Sequence, residues 1–519
     1  MKTTTDKWIY GAFALLALAL FAFFYWGYPY HLYHKEQMSL FLWDLGYMQQ
    51  YQDKGAWVAY FLGDLLTQGY YYIGGGPLIL SLVLTGLTAV TYFCAKTLTG
   101  KRIALAIALL VALWETGRCC TLSYPLASTL ALLKGEALFL FLLHQFRPEA
   151  CKTGKLYYHI PILLVTFVAG YLCLGYGIWA GVIWSLLYEL KQRQYLLSGL
   201  LIASFGLLPL AHHNPATTWW GLPDFDREYV LGLDVEHYFG NEGPQRVLLK
   251  QDRSLTEATF YRNLHAATHP DPTSGAGLSA DFFAYYQPGT EGLILPVDPS
   301  SNYLRILFAG ELWFTLGDMV MAEHSAMLAM IFSPNQISSR MLKRLAEIQL
   351  VKGDNEAALK YLRILRKSWT YRTWAERRMQ GMLSETLRSF FEKQREQLIQ
   401  TDFLRKQGDV IPTLRQLAKQ NNVAYEYLLC YHLLRKDLAA FESDYQPGRI
   451  QSRLFEEAQL ICLAQQKRLQ PEVLTTYQIS SATATAFADF TARYERHDPE
   501  LKARYGQSYW FQYLMREHL

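Results

Sequence analysis

The chain has 519 residues, 49 Lys and Arg against 45 Asp and Glu for a formal charge of +4, and seven cysteines. That charge balance does not suggest nucleic-acid binding, which would want a clustered basic face, and with no C-x-x-C pair the cysteines give neither a zinc knuckle nor a thioredoxin-like site. The 51% of hydrophobic residues are unevenly distributed. Apolar runs of membrane length fill residues 1–211, and 212–519 contains none.

A helix crosses hydrocarbon because its backbone groups satisfy one another, and it needs about 20 apolar residues to do so. The runs fall near 8–27, 77–95, 103–114, 121–146, 160–190 and 195–211. Lys2 and Lys7 precede the first run, which is too long for a signal-peptide core. It ends in Phe-Tyr-Trp-Gly-Tyr, with no small-residue cleavage site, so it reads as an uncleaved anchor with Trp26, Tyr28 and Tyr30 at the interface. A single helix over 160–190 would be about 46 Å long against a core of about 30 Å. Gly175-Tyr176-Gly177 is therefore expected to split it into spans at 160–174 and 178–190. The expectation is an all-α, polytopic transmembrane helix bundle of about seven spans in residues 1–211.

Positive charge orients the bundle. With the N-terminus cytoplasmic, the inner flanks hold Lys2, Lys7, Lys96, Lys101, Arg102, Arg147, Lys152, Lys155, Lys191 and Arg193, and the outer flanks only Lys35, Lys54 and Arg118. Residues 1–211 carry 14 Lys and Arg against 9 Asp and Glu, leaving 35 against 36 beyond them. The C-terminal half is thereby expected to be extracytoplasmic. The first outer loop, 29–75, is long and aromatic. Met38, Leu40, Phe41, Leu45 and Met48, then Val58, Phe61, Leu62, Leu65 and Leu66, recur near helical spacing. They predict two amphipathic helices along the membrane surface.

Residues 212–300 read as a linker with the first soluble helices, including a Pro-, Gly- and Ser-rich loop at 270–300. Residues 301–519 read as stacked helices. Ile306, Gly310, Trp313, Ala322, Ala326, Ala329 and Pro334 follow the packing positions of a helical repeat. Gly317-Asp318 with Ala322 recurs 36 residues later as Gly353-Asp354 with Ala358, accompanied by Leu342, Leu345, Leu362 and Leu365. This stretch resembles tetratricopeptide repeats, although Thr370 stands where the second copy should have proline and its register is two residues long. The resemblance implies an extracytoplasmic, α-solenoid-like domain with a binding surface. Cys430 and Cys462, alone in the soluble half, could bridge neighbouring helices if the domain lies in an oxidising compartment. The aromatic cluster of Tyr505, Tyr509, Trp510, Phe511 and Tyr513 reads as a cap on the stack. HKEQ at 34–37, LKRLAEIQLVKGDNEAALKYLRIL at 342–365 and YGQSYWFQYL at 505–514 also resemble an uncharacterised family of bacterial envelope proteins. Members join a multi-span region to a repeat-like domain, which implies the bacterial inner membrane and no defined activity.

Glu36 is the sharpest candidate for chemistry, because it lies just past the first span at the head of the long outer loop. That layout, with the outer Arg118 after the following spans, resembles the C-type glycosyltransferase superfamily. The resemblance implies a polyprenyl-phosphate-linked sugar donor and Glu36 as general base, with Asp44 and Asp53 as alternates. The adjacent acidic pair usual in that superfamily is here Glu36-Gln37. The bland reading of Glu36 is an acid that pairs Lys35 or caps a helix. Lys134 and Glu136 lie within the 121–146 run, where charge is costly, and are expected to find partners such as Glu115 or Arg118. Arg118, Lys134 and Glu136 are thus candidate substrate-binding residues. His212-His213 and His265-x-x-x-His269 have ligand-like spacing but no third ligand, so no metal site is predicted. No cofactor is predicted either; a transferase would bring the lipid-linked donor or a divalent metal. Two readings result. One is a membrane scaffold whose helical repeats bind a protein or glycan, with the bilayer as its other partner and no nucleic acid. The other is a lipid-linked sugar transferase.

Overall fold

The computed structural model describes residues 4–28, 30–52, 56–121, 124–145, 169–192, 255–284, 289–294, 303–333, 336–396, 398 and 410–515, and every regular element among these is a helix. Two compact units emerge. The first draws on Met1–Val230, Ser333–Leu342 and Leu362–Gly381, and the second on Leu231–Phe332, Lys343–Tyr361 and Met382–Leu519. The boundaries expected at 211 and 300 follow chain order. The compact units do not, because two short stretches of the second half belong with the first.

In the first unit, α1 (Thr4–Ala22) ends in a π turn, Phe23–Gly27, and is followed by α2 (Tyr30–Gln37), α3 (Leu45–Gln49), α4 (Trp57–Thr67), α5 (Gly75–Leu98), α6 (Lys101–Cys119), α7 (Leu126–Gln145) and α8 (Ile178–Lys191). Among the described residues three helices are long and apolar enough to cross a bilayer: Trp8–Gly27, Gly75–Leu98 and Leu126–Gln145. They coincide with the runs read at 8–27, 77–95 and 121–146. The run at 103–114 belongs to the 19-residue α6, about 28 Å long, whose charges Lys101, Arg102, Glu115 and Arg118 lie in its end turns. Residues 169–174 are helical, and Gly175–Gly177 form a 3-10 turn with Gly175 at φ +58°. A Cβ on Gly170 would lie 2.8 Å from Ile178 Cδ1. Eight residues along a straight helix are about 12 Å apart, so the chain bends back at the Gly-Tyr-Gly. Residues 160–168, the 195–211 run, Asp53, Pro334 and His212-His213 lie outside the described residues.

The first outer loop departs from expectation in the first of its two helices. Met38 to Met48 do not form one helix. Residues 39–44 lack helical structure, and only the short α3 follows, with the Asp44 side chain accepting from Tyr47 N–H as its N-cap. Met38, Leu40, Phe41 and Leu42 are all buried while Leu45 is 80% exposed, so the predicted stripe does not share one buried face. The α4 helix does form, but the residues it buries are Ala59, Gly63 and Thr67; the large apolar side chains of the predicted face are half-buried. A Cβ on Gly63 would fall 2.7 Å from Ala127 N. The closest α4–α7 approach thus runs through small residues, which let helix backbones come together.

In chain order the remaining helices are α9 (Leu255–Thr268), α10 (Tyr303–Leu316), α11 (Met319–Ile331), α12 (Ser339–Lys352), α13 (Asn355–Arg366), α14 (Arg372–Met379), α15 (Glu385–Glu396), α16 (Ile411–Leu417), α17 (Asn422–Leu434), α18 (Leu438–Asp444), α19 (Arg453–Gln465), α20 (Pro471–Thr476), α21 (Ser481–Glu495), α22 (Leu501–Tyr505) and α23 (Tyr509–Met515). The two Gly-Asp pairs act as their chemistry dictates. Gly317 and Gly353 take φ of +95° and +81°, ending α10 and α12. Asp318 and Asp354 then accept from Met321 N–H and Ala357 N–H, at 3.0 and 2.9 Å, to start α11 and α13. Gly310 lets α10 lie on α11, since a Cβ there would be 3.0 Å from Ser325 Cβ. Cys430 and Cys462 are free, buried thiols and form no bridge; Cys462 Sγ–H points to Leu438 O. In the second unit the Glu426 carboxylate of α17 gathers the backbone N–H groups of Gly277, Leu278 and Ser279. Trp510 is fully buried and donates to Glu457 O.

Candidate functional site

The site is α2 itself. Its sequence, Tyr-His-Leu-Tyr-His-Lys-Glu-Gln, has no apolar stripe, yet from His31 to Leu42 every residue except the half-buried Lys35 is buried. A buried polar group without a partner costs about 1–3 kcal/mol, so such a helix persists only inside a network that answers it.

One side of α2 meets the end of α6. Lys35 Nζ donates to the carbonyls of Cys119 and Tyr124, at 2.9 and 3.0 Å, and His31 Nε2 lies 3.1 Å from Cys119 O. An ammonium at the carbonyl-rich end of a helix is favourable, because the backbone dipoles leave partial negative charge there. The other side meets the two stretches contributed by the second half. Glu36 is 1% exposed, and its Oε2 accepts from Tyr371 O–H at 2.8 Å. Tyr371 Oη accepts from Ser339 Oγ–H at 3.1 Å. The Tyr71 ring stands edge-on to that of Tyr371, 5.4 Å away. The Gln37 carbonyl accepts from Ser338 and Ser339 hydroxyls at 2.7 and 3.2 Å, and its side-chain oxygen from Arg340 Nη1 at 3.3 Å. Beyond α2, Trp43 N–H donates to Lys367 O at 2.8 Å, and Thr370 O–H to Gln68 Oε1 at 3.3 Å. Burial, reinforced by the charges of Arg340 and Lys35, depresses the His34 pKa to about 3. Burial likewise lowers that of His31, with Lys35 adding to it.

Asp44 is drawn into the same joint. Its Oδ2 takes a 2.7 Å salt bridge from Lys367, and the hydrogen bond from Lys367 holds its carboxyl below the ordinary range. Arg118 is buried, 3.9 Å from Glu115 and stacked 4.3 Å over the Tyr124 ring. Glu115 also accepts from Tyr124 O–H and Thr129 O–H. Glu136 finds neither Glu115 nor Arg118 as a hydrogen-bond partner. It accepts from Thr91 O–H at 2.5 Å and from Trp184 Nε1–H at 3.0 Å. Lys134 sits half-buried on α7 and does not join that cluster. His265 and His269 stack ring on ring at 4.3 Å, and no group of three or more His, Cys, Asp or Glu suited to a metal occurs among the described residues.

Sequence reasoning singled out Glu36 and Asp44 but missed Tyr371, Ser338, Ser339, Arg340 and Lys367, which answer α2 and the segment after it. The available signal was α2 itself, a short helix polar on every side directly after a membrane run. In the second unit a cleft of about 230 Å³ is lined by Phe282, Arg453, Glu457, Arg504, Tyr505 and Ser508, among others.

One family model, described as a family of unknown function (DUF6057), matches residues 6–213 and 195–516. No curated protein and no solved structure matches the chain.

Proposed function

Since the chain belongs to that family of unknown function, we propose its role from its own geometry: a membrane-anchored scaffold whose helical second half binds a protein or glycan in bacterial envelope assembly. The observation that carries this reading is the enclosure of α2. A general base must come within about 2.6–3.2 Å of an incoming hydroxyl, and Glu36 instead holds Tyr371 at that distance with almost no exposed surface. Glu36 and Asp44 then serve as joints that fasten two stretches of the second half to the membrane half. Arg118, Lys134 and Glu136 then serve the bundle rather than a sugar donor. The three apolar helices support a place in a bilayer. With about seven spans and a cytoplasmic N-terminus, the second half stands outside the inner membrane. The two Gly-Asp helical pairs support a tetratricopeptide-like array, a kind of stack that usually binds rather than catalyses. The cleft near Tyr505 adds a concave surface for a partner.

Glu36→Gln tests the proposal. Gln keeps an acceptor oxygen for Tyr371 but cannot act as a base. The variant is expected to complement a deletion strain with envelope glycans unchanged. Loss of a glycan while the protein remains folded would instead establish Glu36 as a base. A reporter active only in the periplasm, fused after residue 230, is expected to be active; silence would reverse the topology.

A further inference from the structure

The C-terminal end of the first apolar helix and the N-terminal end of α5 lie side by side. Tyr25 stacks on Phe21 at 5.5 Å, and a Cβ on Gly74 would lie 3.4 Å from Tyr25 Cε2. Around this junction large side chains face outward: Trp26 is 66% exposed and Ile73 65%. Tyr72, also exposed, has its ring 6.2 Å from that of Trp369, which is itself 59% exposed. Trp369 comes from the second half of the chain, on the turn between α13 and α14. Hydrogen bonds at Lys367, Thr370 and Tyr371 pin that turn on both sides of it. The surrounding stretch, 362–381, holds Arg363, Arg366, Lys367, Arg372, Arg377 and Arg378 against a single acid, Glu376.

Tryptophan concentrates where hydrocarbon meets headgroups, and clustered arginines and lysines are attracted to anionic lipid. We propose that the 367–371 turn is a second, non-spanning membrane contact. Trp369 seats in the headgroup layer beside Ile73 and Trp26, and the exposed Arg363, Arg366 and Arg372 bind the phosphates of anionic phospholipid. The inference rests on the reading that the first apolar helix and α5 cross a bilayer. Continuity with the ends of those helices places Trp369 at interface depth, and the local excess of positive charge selects anionic phospholipid over a zwitterionic one.

The test uses the full-length protein in vesicles of phosphatidylcholine and phosphatidylglycerol, with bromine at shallow positions on one lipid or the other. The fluorescence lost in Trp369→Phe reports Trp369, and that lost in Trp26→Phe reports the end of the first span. Both contributions are expected to be quenched at least twofold. For Trp369 the quenching should be stronger with brominated phosphatidylglycerol, a preference that Arg363→Gln/Arg366→Gln/Arg372→Gln removes. If Trp26 is quenched and Trp369 is not, the turn does not touch lipid and the proposal fails while the spans stand. If neither is quenched, the membrane reading itself fails. Equal quenching of Trp369 by the two brominated lipids overturns the anionic part.

Discussion

Removing one hydroxyl, in Tyr371→Phe, isolates the joint between α2 and the 367–371 turn. The ring remains and keeps its contact with Tyr71, so no cavity opens. What disappears is the donor to Glu36 at 2.8 Å and the acceptor for Ser339 at 3.1 Å. Ser339 retains the Gln37 carbonyl at 3.2 Å, so the main loss is a buried hydrogen bond to a carboxylate. Such bonds contribute about 1.5–3 kcal/mol. A loss of about 2 kcal/mol corresponds to a roughly 30-fold rise in local opening, read by hydrogen exchange where opening and closing are fast. The Trp43 amide is the reporter, because it donates to Lys367 O across the same joint. It should exchange about 30-fold faster, while amides in the middle of α5 stay unchanged. In Glu36→Gln/Tyr371→Phe the two effects should fall short of additivity by about 1 kcal/mol or more. A change below about threefold at Trp43, or full additivity, would refute the assignment of Glu36 and Tyr371 as one unit.

Helix contacts, caps and titration give the other tests. Gly63→Ala brings a Cβ to 2.7 Å from Ala127 N, whereas Gly86→Ala meets only Leu133 Cδ2 at 4.0 Å. The first should cost about 1–3 kcal/mol in detergent melting and the second almost nothing; equal melting temperatures would contradict the close α4–α7 approach. Asp318→Ala and Asp354→Ala each remove an N-cap and should cost about 1 kcal/mol, seen as faster exchange in the first turns of α11 and α13. His34 stays neutral in the folded protein down to about pH 3, while its unfolded counterpart takes up a proton near 6.5. The linkage cost is therefore absent above pH 6.5, and each unit below that removes about 1.4 kcal/mol of stability until the folded pKa is reached. Melting temperatures between pH 4 and 6 should accordingly fall less steeply in His34→Phe, and an unchanged slope would count against a buried neutral imidazole. Cys430 and Cys462 should react with a thiol reagent only after unfolding, and a disulfide recovered from native protein would contradict their free state.

Much of the fold was legible in local pattern. Hydrophobic length marked Trp8–Gly27, Gly75–Leu98 and Leu126–Gln145 as helices long and apolar enough to cross a bilayer, because a bilayer would impose one length on every span. Turn chemistry marked Gly317-Asp318 and Gly353-Asp354, because a left-handed glycine and an aspartate cap act within four residues of themselves. The Gly-Tyr-Gly at 175–177 announced a bend for the same reason. In each case the deciding pattern is contiguous in the chain.

The tertiary structure decided the rest. Spacing marked the large residues of α4 as its membrane-surface face, and the neighbouring helix set its packing contact on Ala59 and Gly63. Helical periodicity carried Met38 to Met48 into one helix, a reading that needs the stripe on one face; packing instead buries Met38 to Leu42 and leaves Leu45 exposed. Glu36 was visible as an acid in a telling place, but its partner is 335 residues away. Whether a carboxylate serves as a base or a joint depends on what encloses it. That is a property of packing between distant segments, and no window of neighbouring residues contains it.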